Sequence, residues 1–193
     1  MELYLVRHGE TIWNKEGRYY GHRDIGLSEV GLGQAKKLGE FFRNISFDRV
    51  ICSPLIRAVD TVKELTDQPF DIDNRLMEQN FGLFEGKTYQ DLMTDYSDEL
   101  QEWNDHYDTY CLPEGESFLM VRERVESFVR DLSSMDGKIL IVAHKGTFGH
   151  MLAALMNLPA SGYWNFVFEQ GTYSKIDLQD GFAILRMINR LPE

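Results

Sequence analysis

Apolar and polar positions follow two different periods along this chain, and the changes of period mark out its elements. Short runs rich in branched residues, Leu3 to Val6, Val50 to Cys52 and Ile139 to Ala143, predict strands covered on both faces. Between them, Ser28 to Asn44, Ser53 to Thr66 and Ser117 to Ser133 read as helices. In the last of these, Phe118, Val121, Val125, Phe128, Val129 and Leu132 recur at helical spacing and share one face. Strand and helix alternate, which predicts an α/β fold on a buried parallel sheet. Thr88-x-x-Asp91 reads as a capping box opening another helix, and Gly146 to Leu155 as a helix after the strand at 139–143. Near the C-terminus, Tyr173 to Leu178 and Phe182 to Ile188 flank Gln179-Asp180-Gly181, an Asp-Gly hairpin signal that would add antiparallel strands.

No repeat or Pro/Gly-rich linker interrupts the pattern, so one domain over 1–193 is expected. The stretch from Tyr89 to Pro113 departs from it. Asp91, Asp95, Asp98, Glu99, Glu102, Asp105 and Asp108 fall there beside several aromatics, without Lys or Arg. A helical cap inserted over the domain, at 87–116, is the expectation.

The 193 residues carry 20 Lys+Arg against 31 Asp+Glu, a formal charge of −11. That balance argues against nonspecific nucleic-acid or anionic-membrane partners. The apolar runs fall far short of the ~20 residues of a membrane span, and Met1 to Val6 has no basic leader pattern, so a cytoplasmic location is expected. Cys52 and Cys111 are expected as free thiols, with no structural metal and no cofactor.

Two strand ends carry residues that a core would not place there. Arg7 and His8 close the first strand before Gly9, and His144 closes the strand at 139–143 before Lys145-Gly146-Thr147. Ligands bind at that edge in open α/β folds. Arg57 falls near the start of the helix that Ser53 would cap and Pro54 would open, where a cation opposes the helix dipole unless an anion sits nearby. Metal ligation by His8 and His144 lacks a third ligand at suitable spacing, and the arginines would repel a cation. A phosphoryl group fits two arginines, two histidines and helix-end amides. One neutral imidazole would attack phosphorus, and Glu78 or Glu85 would protonate the leaving alkoxide. His106 and His150 read as surface or packing residues.

Leu5-Val6-Arg7-His8-Gly9-Glu10-Thr11-x-Trp13-Asn14 resembles the signature of the histidine phosphatase superfamily, the phosphoglycerate mutase-like family. Gly21-x-x-Asp24-x-x-Leu27-Ser28-x-x-Gly31, Ser53-Pro54-Leu55-x-Arg57-Ala58-x-x-Thr61, Glu78-x-x-Phe81-Gly82-x-x-Glu85-Gly86, Gly115-Glu116-Ser117 and Val142-Ala143-His144 follow in order, so the resemblance covers almost the whole chain. It implies a three-layer α/β/α sandwich with a mostly parallel sheet and His8 as the phosphorylated nucleophile. Arg7, Arg57 and His144 would form the phosphate pocket and Glu78 would be the general acid. It also implies contacts from Asn14 and from backbone near Tyr20-Gly21 and Thr147. Lys145 stands where the family commonly has glycine, and His22 where many members have an aromatic residue.

The family divides between phosphatases and mutases. A mutase must hold a bisphosphorylated, carboxylate-bearing intermediate, which the acidic segment at 89–113 would repel if its charges face inward. Hydrolysis of a small phosphomonoester is therefore expected; the length and motif order resemble those of the family's small phosphatases, which implies α-ribazole phosphate or a broad set of esters as substrate. The mutase, and a domain that only binds phosphorylated ligands, are the alternatives. Tyr89, Tyr96, Trp103, Tyr107 and Tyr110 would either stack on a leaving group or pack the cap onto the domain.

Overall fold

A computed structural model of the chain describes residues 1–192. Among these residues six strands form one sheet, in the order β3 (Asp71–Ile72), β2 (Arg49–Cys52), β4 (Lys138–Ala143), β1 (Glu2–Arg7), β5 (Tyr173–Gln179), β6 (Phe182–Arg190). β1, β2, β3 and β4 run parallel to their neighbours within this group. β5 pairs antiparallel with β1, and β6 antiparallel with β5. The hairpin turns at Asp180 and Gly181 with φ of 50° and 81°, the left-handed pair its sequence calls for.

Alternation along the central strands builds two cores. Leu3, Leu5, Ile139, Ile141 and Ala143 face α6 (Phe118–Leu132) and α7 (Lys145–Leu155), meeting Val121, Val125, Phe128, Phe148 and Leu152. Tyr4, Val6, Leu140 and Val142 face the other way, onto Leu38 and Phe42 of α2 (Glu29–Phe42) and Ala58, Val62 and Leu65 of α3 (Ile56–Leu65). The result is the three-layer α/β/α sandwich with its antiparallel hairpin.

α4 (Tyr89–Asp95) opens with the Thr88/Asp91 capping box, and α5 (Ser97–Asp105) follows it directly. Their buried Leu92 and Leu100 form a separate small cluster with Phe84 and Leu112, on which Tyr96, Trp103 and Tyr110 pack. Those three aromatics therefore serve packing, and Tyr107 lies against Phe118 and Trp164. A short helix, α1 (Ile12–Lys15), had no counterpart in the sequence pattern. None of the helices among the described residues is long and apolar enough to cross a membrane.

Ser53 was expected to cap the third helix. Instead α3 begins at Ile56 with Leu55 at the cap position and no side-chain cap. The Ser53 hydroxyl is 2.8 Å from His144 Nε2 and accepts the Leu55 amide at 3.4 Å, so a tertiary partner has claimed it.

Candidate active site

β1 and β4 are neighbours in register, Arg7 opposite Ala143, so the residues that end them emerge side by side. The His8 amide continues the ladder to the Ala143 carbonyl at 3.0 Å. The His8 and His144 rings consequently stand with centroids 5.1 Å apart, both almost wholly buried. His8 Nδ1 is 2.7 Å from the Gly9 carbonyl oxygen. A carbonyl only accepts, so Nδ1 carries the proton and Nε2 keeps the lone pair. Nε2 has no hydrogen-bond partner and is not closed off from solvent. Burial first, then the charges of Arg57 and Arg7, hold His8 well below the ordinary imidazole pKa, against the Gly9 bond. His144 is pushed the same way by burial, Arg57 and His8. The site thus presents a neutral, oriented imidazole among cations.

Carboxylates, Glu78 among them, act on those cations only through space. Arg57 is 0% exposed, donates through Nη2 to the Gly21 carbonyl (2.6 Å) and through Nη1 to that of Arg23 (3.1 Å), and lies over the Tyr20 ring at 4.6 Å. Arg7 donates Nη1 to the Phe168 carbonyl at 2.7 Å. Neither makes an ion pair among the described residues, and both Nε atoms are buried without partners, as is His144 Nδ1. A guanidinium buried like that of Arg57, with only neutral acceptors in contact and half-buried Arg7 beside it, is an imbalance that a bound anion would offset.

Around this centre the loop residues hold one another. Asn14 Oδ1 accepts from the Thr11 amide, the Tyr20 hydroxyl and Gln170 Nε2, at 3.0, 2.7 and 2.6 Å, leaving the Asn14 amide group as a spare donor. Gly21 donates its amide to Glu85 Oε1 at 2.8 Å, so of the Tyr20-Gly21 pair only the Tyr20 amide is left unspent. Glu85, the second candidate acid, accepts four backbone amides, from Gly21, His22, Arg23 and Phe81. It is a structural anchor with its lone pairs committed.

Glu78 is differently placed. Its Oε2 accepts the Gly146 amide in the first turn of α7 at 3.0 Å, and Oε1 accepts the Gln79 amide at 3.0 Å. A Cβ on residue 146 would lie 2.2 Å from Glu78 Oε1, so glycine is what lets the carboxylate reach that helix end. Two side chains brace the backbone beneath it. Thr147 Oγ1 donates to Met77 O at 2.8 Å and to Leu76 O at 3.3 Å. Arg124 donates to the carbonyls of Arg75, Met77 and Glu78 at 2.7, 2.7 and 3.0 Å while paired with Glu116. Sequence reasoning missed Arg124 and Gln170; each acts across the fold, and no local spacing marks it. Lys145, which opens α7, is exposed, and His22 Nε2 is 3.8 Å from Glu116 Oε2.

Fold and site together define an α/β protein with two histidines and two arginines gathered at the carboxyl edge of its parallel strands. The model of the histidine phosphatase superfamily, branch 1, matches residues 3–190, and the chain belongs to that family as a phosphatase. It is 39% identical over 194 residues to an adenosylcobalamin/alpha-ribazole phosphatase of Salmonella typhimurium strain LT2, covering 98% of this chain and 96% of that one. A phosphoserine phosphatase 1 of Hydrogenobacter thermophilus is 28% identical, with 98% of this chain and 92% of the relative covered. Among solved structures, the alpha-ribazole phosphatase of Shigella flexneri superposes with a TM-score of 0.93 at 36% identity, over 98% and 96% of the two chains.

Proposed function

We propose that the protein hydrolyses a small phosphomonoester of the α-ribazole phosphate type through a phosphohistidine on His8, without a metal ion. One observation carries this: the Gly9 carbonyl 2.7 Å from His8 Nδ1 sets the proton there, so Nε2 is unpaired beside two guanidinium groups, Arg7 and Arg57, that no carboxylate contacts in an ion pair. Nε2 attacks phosphorus, forming the N–P bond as the P–O bond to the alcohol breaks. Arg7, Arg57 and His144 hold the equatorial oxygens, with Asn14 and the amides of Tyr20 and Thr147 completing the grip. The Tyr20 ring and Gly21 carbonyl act behind Arg57.

Glu78 gives its proton to the departing alkoxide, then takes one from the water that attacks phosphohistidine, returning free imidazole and inorganic phosphate. The 87–116 segment is a cap over this domain, and the seven acidic residues between Tyr89 and Pro113, without a Lys or Arg, supply no cation for the bisphosphorylated intermediate of a mutase. The relatives' descriptions support the substrate class, and the free thiols Cys52 and Cys111 fit a reducing, cytoplasmic setting.

Purified protein should hydrolyse p-nitrophenyl phosphate and α-ribazole phosphate at rates unchanged by EDTA. An acid-labile phosphoenzyme should be trapped from the wild type and absent from His8→Ala. A rate abolished by EDTA, or a phosphoenzyme that survives in His8→Ala, refutes the assignment.

A further inference from the structure

The loop that leads into β5 touches the phosphate site at two points. Phe168, buried against Phe148 of α7, gives its carbonyl to Arg7 Nη1 at 2.7 Å. Two residues on, half-buried Gln170 donates Nε2 to Asn14 Oδ1 at 2.6 Å, reaching a residue 156 positions away. The loop is itself tied down from β6. Asn189 accepts the Glu169 amide through Oδ1 and donates Nδ2 to the Val167 carbonyl, both at 2.8 Å, and the Thr172 hydroxyl donates to the Glu169 carbonyl at 2.9 Å. Gly171 takes φ of 71°, and a Cβ there would lie 2.9 Å from the Gln34 side chain, so glycine lets the loop close onto α2. Gln170 is thus presented from an anchored backbone.

The other donors to Asn14 Oδ1 are close to it in sequence: the Thr11 amide at 3.0 Å, the Thr11 hydroxyl at 3.1 Å and the Tyr20 hydroxyl at 2.7 Å. They differ in kind. The two hydroxyl oxygens lie 2.7 Å from each other, so by rotation they can satisfy one another, and each can also accept. The Thr11 N–H and Gln170 Nε2 can only donate. Turning the Asn14 amide over would set its NH2 group against both of them. With Gln170 in place, Oδ1 is held inward and Nδ2, which the described residues do not use, is left for a ligand. Remove Gln170, and the Thr11 N–H alone opposes the flip.

We infer that Gln170 is a positioning residue for the phosphoryl grip: from the loop that also holds Arg7, it fixes the Asn14 amide so that Nδ2 donates to a phosphoryl oxygen. The inference rests on the phosphatase reading above and on the place of Asn14 in the grip, and adds a residue that acts through Asn14 without touching substrate. Orientation matters because a flipped Asn14 would offer a carbonyl oxygen to the anion, replacing a charge-assisted hydrogen bond by a repulsion.

Gln170→Met keeps the length of the side chain and removes its donor. Inorganic phosphate is the probe, measured as a competitive inhibitor of p-nitrophenyl phosphate hydrolysis in wild type, Gln170→Met, Asn14→Ala and the double variant. Its Ki should rise about five- to tenfold in Gln170→Met and about ten- to hundredfold in Asn14→Ala. KM for p-nitrophenyl phosphate should follow Ki in Gln170→Met while kcat stays within about threefold, since the hydrogen bond is made before and during transfer alike. On top of Asn14→Ala, Gln170→Met should change Ki by less than about twofold, because no amide is left to orient. Asn14→Ser serves as the second background should the alanine variant not fold. A Ki within about twofold of wild type in Gln170→Met, or a Gln170→Met effect of full size that persists without Asn14, overturns the inference and leaves the phosphatase reading standing. A wild type that does not hydrolyse p-nitrophenyl phosphate overturns both.

Discussion

At the scale of single residues, the separation between Glu78 and Glu85 is the clearest lesson of the site. Both are carboxylates on the same loop, and local pattern treats them alike. Glu85 is committed to four backbone amides, whereas Glu78 accepts two and stands at the first turn of α7 near the histidines. If Glu78 protonates the leaving oxygen, Glu78→Gln should slow release of an alkyl alcohol by about 10²- to 10⁴-fold, and release of nitrophenol far less, because nitrophenolate leaves without help. Equal slowing of both esters would remove Glu78 from that role. If Glu78 is the acid, Arg124 is placed to position it, since it ties the carbonyls of Arg75, Met77 and Glu78 to one guanidinium. Lysine keeps the charge but cannot span three acceptors with a planar fork. Arg124→Lys should therefore show the Glu78→Gln leaving-group signature in weaker form, and a loss of stability with unchanged leaving-group dependence would show a merely structural role.

Among the elements, α7 does the most to assemble the site, because its first turn brings His144, Gly146 and Thr147 against the loop that carries Glu78. Gly146→Ala adds one methyl group where Glu78 Oε1 now lies 2.2 Å from the position of the new Cβ. The carboxylate must retreat, and a displacement on the order of 1 Å at a reacting group costs about 10²-fold. Steady-state rates on an alkyl phosphate should fall by that order; a rate within threefold of wild type would mean that Glu78 works from elsewhere. Elements of this kind were only partly readable from sequence. β1, β2 and β4 show as apolar runs because they are covered on both faces, and α6 shows because one face alone is buried. β3 is two exposed residues, Asp71 and Ile72, too short to carry a period. The start of α3 was misplaced because Ser53, a strong capping residue by local rules, is bound to His144 from 91 positions away. Arg7, His8, Arg57 and His144 were legible because polar groups at the ends of buried strands and helices stand out against their context. Arg124 and Gln170 were not, because only the folded chain brings them to their partners.

For the whole molecule, burying neutral imidazoles in an acidic protein makes stability depend on pH in a definite direction. His8, His144 and His150 all have pKa values lowered in the fold, chiefly by burial, with His150 at about 3. In the unfolded chain each returns to its ordinary value near 6.5. Above that value neither state binds the protons and stability carries no linkage to them. Below it the unfolded chain takes up protons that the fold refuses, so stability falls as pH falls, by about 1.4 kcal/mol per pH unit for each histidine until its folded pKa is reached. Between pH 6.5 and 5.5 ordinary carboxylates contribute little, and the slope counts histidines. Denaturant unfolding in phosphate-free buffer, where no anion engages Arg7 and Arg57, should give an uptake approaching three protons on unfolding near pH 5.5. His150→Leu should lower that number by about one, whatever it does to absolute stability, because leucine has no proton to gain. An unchanged slope in His150→Leu would mean that the imidazole is already charged in the folded protein, with Arg122 and Arg124 nearby and Nδ1 buried without an acceptor.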